Sequence, residues 1–78
     1  MNIYTQRFRG TCPRNGRSVD YLLVIESPRV IMVEDIQAAV GKLTGYHEEF
    51  ADQLLRLFGG KQILTAHHHG TDIQTIRP

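Results

Sequence analysis

The sequence predicts an α+β domain in the order β-β-α-α-β-β, one antiparallel four-stranded sheet with two helices packed on one face. Three observations carry that expectation. Apolar residues alternate with period two through VDYLLVIE, residues 19–26. From Asp35 the apolar spacing lengthens to that of a helix. After Gly59-Gly60 the chain returns to β-prone residues, divided by a glycine-containing turn.

The first element, NIYTQRF (residues 2–8), is β-prone and mostly polar, as suits a strand facing solvent or a neighbouring subunit. CPRNG is turn chemistry: Pro13 presets φ, and Asn15-Gly16 favours positive φ. In the next strand Val19, Tyr21, Leu23 and Ile25 share one face and Leu22 and Val24 the other, so the first two strands form a hairpin. Pro28 interrupts the alternation, and RVIMV (29–33) is expected to prolong it as an irregular strand segment. Ile36, Ala39, Val40 and Leu43 then recur at i, i+3, i+4, i+7, one stripe of a short helix that LTGYH ends. A second helix is expected from His47 to Phe58, with Phe50, Leu54, Leu57 and Phe58 inward. Glu48 and Glu49 occupy its first turn, where the helix dipole favours carboxylates, and Gly59-Gly60 closes it. KQILTAH and TDIQTIR are two further strands around the turn HHGT.

With no repeat, linker or low-complexity segment, residues 1–78 read as one domain with a small core. Domains of this size commonly gain stability from oligomerisation or a bound ligand. Nine Lys and Arg against eight Asp and Glu leave a net charge of +1, which argues against a strongly electrostatic nucleic-acid or membrane-surface binder. A single cysteine cannot close an internal disulfide, so a reducing cytosol is expected. The opening MNIYTQRFRG has no apolar leader core, and no apolar run approaches the ~20 residues of a membrane span. The expected setting is cytoplasmic, without a membrane partner. Two helices cover only one face of a four-stranded sheet. The outer strands carry Gln6, Arg7, Arg9, Gln74 and Arg77, which either guard exposed edges or join subunits.

Three groups of residues bear on chemistry. Cys12 stands just before a proline-containing turn, with Arg9, Arg14 and Arg17 near in sequence and Asp20 closing the segment. It is either a thiolate nucleophile with an acid partner or a small residue at a strand end. YHEEF sets an imidazole and two carboxylates at a helix start: dipole complementarity on a solvated face, or a carboxylate aimed at the N–H edge of a guanine-like base with histidine as acid. The triplet His67, His68 and His69 suggests a metal, but side chains alternate along a strand, so at most His67 and His69 converge. Zinc needs three or four convergent ligands, so no metal is expected and a polar hairpin tip is the simpler reading.

Together these features resemble the tunnelling fold (T-fold), whose unit has this β-β-α-α-β-β order. Within that group the chain is similar to the 7-cyano-7-deazaguanine nitrile reductases of queuosine biosynthesis, from about Phe8 to Ile76. TCPRNG is similar to their C-P-x-x-G turn, whose cysteine attacks a nitrile to form a covalent thioimide, and the match is Cys12. Asp20 is the nearest match to the family's proton-donating aspartate, one residue further from the cysteine than the family spacing. MVED is similar to the V-E-S segment, with Glu34 on its substrate-binding glutamate. YHEEFADQLL is similar to the F-H-E-D motif, which puts Glu48 on the glutamate that anchors the purine-like ring and His47 on its assisting histidine.

Two segments depart from the reductases. The lysine-rich stretch that helps bind NADPH is replaced by VEDIQAAV, and an arginine-glycine-glycine turn by HHHGT. The resemblance thus implies NADPH as a cofactor without matching its motif. It also leads to relatives that add ammonia to the nitrile of a tRNA-borne deazaguanine and make an amidine. The implied partners are a small purine-like substrate or a modified tRNA base, and further copies of the chain, because family sites form between subunits. The alternative expectation is a non-enzymatic tunnelling-fold protein that binds a purine or pterin, or that only assembles with itself.

Overall fold

The computed structural model describes residues 1–78. Four strands, β1 (Asn2–Thr11), β2 (Ser18–Ser27), β3 (Lys61–His68) and β4 (Thr71–Arg77), form one antiparallel sheet in the order β1-β2-β3-β4. Helices α1 (Val33–Val40) and α2 (His47–Phe58) separate the two hairpins, so the expected α+β class and element order hold. No helix is long and apolar enough to cross a membrane.

The period-two pattern decides which face the helices cover. Val19, Tyr21, Leu23 and Ile25 of β2 meet Leu64 and Ala66 of β3, and Ile36, Phe50, Ala51 and Leu54 close over them. Leu23, Ile25, Leu54 and Leu64 are almost completely withdrawn from solvent, at 0–1% exposure. At the end of α2, Gly59 and Gly60 adopt φ +64° and +72°. The Gly59 N–H donates to the Leu55 carbonyl at 2.8 Å. A Cβ on Gly60 would meet the Glu26 carbonyl oxygen at 2.5 Å, so only glycine lets the chain turn from α2 into β3 there.

Four details differ from the sequence reading. The first hairpin is longer than residues 2–8 and 19–26, because Arg9, Gly10 and Thr11 continue to pair with Asp20, Val19 and Ser18. Residues 29–33 do not prolong β2: Pro28 ends the strand, the Ile31 N–H donates to the Tyr4 hydroxyl at 2.9 Å, and Val33 already opens α1. Leu57 is 62% exposed and faces a groove between the two helices, because α2 turns Phe50, Ala51 and Leu54 toward the sheet. His68 belongs to β3 and pairs with Thr71, so the turn HHGT shortens to His69-Gly70, both with positive φ, at 53° and 84°.

Candidate active site

Cys12 follows β1 directly and keeps the side-chain phase of Phe8 and Gly10, on the helix-covered face. The loop after it is tied down by its own backbone: the Cys12 N–H donates to the Arg17 carbonyl at 2.8 Å, and the Gly16 N–H donates to the Cys12 carbonyl at 2.9 Å. The Asn15 side chain accepts from the Arg17 N–H at 3.0 Å. The thiol is half-buried and lines a cavity of about 260 Å³ shared with Tyr21, Tyr46, His47, Glu48 and His68. Two segments far apart in sequence, TCPRNG and YHEEF, therefore meet in one place.

Glu48 and Glu49 divide the work of the α2 start. The Glu49 carboxylate accepts the Tyr46 backbone N–H at 2.9 Å and so closes the helix end. Glu48 lines the cavity. The three ion pairs of the molecule engage Asp20, Asp72 and Asp52 instead, which leaves the Glu48 carboxylate available to a ligand.

His47 sits behind it. Its ring stacks on Tyr21 with centroids 5.8 Å apart, and both ring nitrogens are shielded from water without a hydrogen-bond partner. Burial holds its pKa below the ordinary 6.5, opposed by the Glu48 charge and the nearby Leu64 carbonyl and reinforced by Arg77. The imidazole is accordingly neutral near pH 7, and an unpartnered imidazole can take a proton at one nitrogen and release one from the other.

Tyr21 completes the wall. Its ring lies almost parallel to Phe8 at 4.9 Å and tilted against Phe50 at 5.3 Å. The Cε edge fills the space above Gly10, where a Cβ would come within 2.9 Å of it. Burial, followed by the Cys12 charge, pushes the phenol above its ordinary 10.0, so it stays a proton donor at neutral pH.

The structure does not bring Asp20 or Glu34 to this cavity. The β1–β2 ladder runs without a bulge from Asn2↔Ser27 to Thr11↔Ser18, so nothing absorbs the extra residue between Cys12 and Asp20. Asp20 consequently points to the uncovered sheet face, where Arg9 Nε donates to its carboxylate at 2.9 Å. Glu34 is exposed in the first turn of α1, three residues after Ile31, which is bonded to Tyr4. Tyr4 and Cys12 are eight residues apart on an extended strand, about 26 Å.

The histidine triplet splits three ways. His67 is on the uncovered face and pairs with Asp72. His68 lines the cavity, and His69 packs edge-on against it at 4.4 Å. No three His, Cys, Asp or Glu side chains converge as metal ligands. The cavity lining also holds no Lys or Arg to receive the phosphates of a dinucleotide, so its residues do not fit NADPH.

Tyr21 carries no functional reading in the sequence, where it is one of four residues sharing a strand face, and His68 appears there only within the triplet that suggests a metal. The signal was present in the register: Cys12 shares its face with Gly10 and Phe8, whose partners are Val19 and Tyr21 and not Asp20. Comparison with protein families, with curated proteins and with solved structures finds no significant match for the chain.

Proposed function

We propose that this chain binds a 7-deazaguanine-type base and that Cys12 adds to a nitrile on it, forming a thioimide. The observation that carries the reading is the meeting of Cys12, His47 and an unpaired Glu48 in one cavity. Glu48 would accept two N–H bonds from the base edge, a charge-assisted and geometrically selective contact. Cys12 would attack the nitrile carbon, with neutral His47 taking the thiol proton. Amidine formation is the branch this cavity suits, because ammonia, unlike a dinucleotide, needs no cationic phosphate cradle. The base would arrive free or as part of a modified tRNA. The chain would act as a tunnelling-fold homo-oligomer, and Glu34 would reach a site only from a neighbouring subunit.

The test is intact-mass spectrometry after mixing with 7-cyano-7-deazaguanine in buffer free of NADPH. The expected result is one adduct of the added base per chain, lost in Cys12→Ala and weakened at least tenfold in apparent affinity by Glu48→Gln. No adduct with the wild type, or one that survives Cys12→Ala, sinks the covalent mechanism.

A second reading, a binding protein without chemistry, draws support from the placement of Asp20 outside the cavity. It would bind a purine or pterin through Glu48 and be indifferent to Cys12. Calorimetric titration of Cys12→Ala and Glu48→Gln with guanine-type ligands separates the two readings.

A further inference from the structure

We propose that the Tyr21 hydroxyl, and not the Asp20 carboxyl, is the proton donor to the nitrile nitrogen when Cys12 adds to it. The inference rests on the thioimide reading of the cavity and assigns the acid which that reading lacks.

Strand parity carries it. Asp20 and Tyr21 are neighbours, so the pleat sends one to each face of the sheet, and the unbroken ladder leaves no register in which Asp20 turns inward. The Asp20 carboxylate also accepts from Arg9 Nε at 2.9 Å on the far face. Tyr21 faces inward and lines the cavity with the thiol. Its position is set on three sides, by Phe8, Phe50 and His47, and the missing side chain at Gly10 lets its Cε edge lie across β1 two residues before Cys12. No protein group takes up its hydroxyl in a hydrogen bond, whereas the Tyr4 hydroxyl is engaged by both Asn2 and Ile31.

The step balances without any oxidant or reductant. The sulfur–carbon bond forms as one π bond of the C≡N group breaks. That electron pair moves to nitrogen, which takes the phenolic proton. The proton released from the Cys12 thiol, carried by His47, restores the phenol. The net change is addition of S–H across the nitrile. A phenol held above its ordinary pKa by burial keeps its proton until the nitrogen becomes basic.

Three proteins settle it: wild type, Tyr21→Phe and Asp20→Asn, each examined for equilibrium binding of the base and for the rate of adduct formation. Tyr21→Phe keeps the ring and its three aromatic neighbours. It is expected to bind the base within about twofold of wild type and to form adduct about a hundredfold more slowly, the low end for loss of a general acid. Asp20→Asn should match the wild type in both. A wild-type rate in Tyr21→Phe, or a slow rate confined to Asp20→Asn, overturns the proposal while leaving the covalent reading intact. Absence of adduct in the wild type overturns the covalent reading itself, and this assignment with it. As a second measurement, site-specific Tyr21→3-fluorotyrosine, similar in size and more acidic, should move the alkaline limb of the adduct rate to lower pH. A limb that stays in place counts against Tyr21 even if Tyr21→Phe fails to fold.

Discussion

His47 shows how one side chain links stability to the cavity's chemistry. Its ring nitrogens are shielded, its pKa is held below 6.5, and the unfolded chain would protonate it at the ordinary value. Below pH 6.5 the unfolded state therefore binds more protons than the folded state, so this group's contribution is present above 6.5 and is lost as pH falls. The melting temperature of the wild type is expected to drop between pH 7 and pH 5. His47→Phe, which keeps the stack on Tyr21, should flatten that drop; an identical slope in both proteins would remove His47 as its cause. Gly10 is the other residue on which the cavity depends. A Cβ there comes within 2.9 Å of the Tyr21 ring and 3.3 Å of Phe50. Both rings are packed and cannot swing away, so Gly10→Ala is expected to cost about 1–3 kcal/mol, read from denaturant midpoints.

At the scale of elements, α2 does two jobs with one stretch of sequence. Its inward stripe holds the core, and its first turn supplies the cavity with His47 and Glu48. The jobs are separable because Glu49, not Glu48, caps the helix. Leu54→Ala, at a fully buried position, should lower stability by about 2–5 kcal/mol, whereas Glu48→Gln should leave the melting curve almost unchanged. Equal destabilisation by both would mean that Glu48 is structural. The strongly periodic elements were the legible ones: β2 by strict alternation, α2 by its spacing and terminal glycines. What the pattern could not tell was set by neighbours. Residues 29–33 look β-prone, yet after Pro28 they have no strand to pair with and lead into α1. Leu57 fits a helical stripe, but its exposure depends on where the sheet lies beneath α2. Cys12, His47 and Glu48 could be named as candidates from local sequence and family resemblance. Alternation along β2 puts Asp20 opposite Tyr21, but which of the two shares the face of Cys12 depends on the register of β1 on β2, where one residue of spacing reverses the answer.

For the whole molecule, the open question is what covers the second face of the sheet. Only 13 of 78 residues are buried, a small core for one domain. On the uncovered face Val24, Ile63 and Ile76 lie side by side across β2, β3 and β4, and Ile3 and Ile76 are 65% and 54% exposed on the two edge strands. Both edges leave unpaired backbone that another chain can extend. Self-assembly through those edges would continue the sheet and set the apolar strips of neighbouring copies next to one another. It is also a route by which Glu34, in α1 near the Tyr4 end of β1 and outside the cavity of its own chain, could share a neighbour's cavity. Sedimentation at micromolar concentration is therefore expected to show a multi-subunit species for the wild type. A double variant, Ile3→Lys with Ile76→Lys, puts like charges on both edges of every joint and should shift the protein to monomer. In that monomer Glu34→Gln should have no effect on base binding, whereas in the assembled wild type it should weaken it. A monomeric wild type would end the assembly proposal and confine the site to the cavity of a single chain.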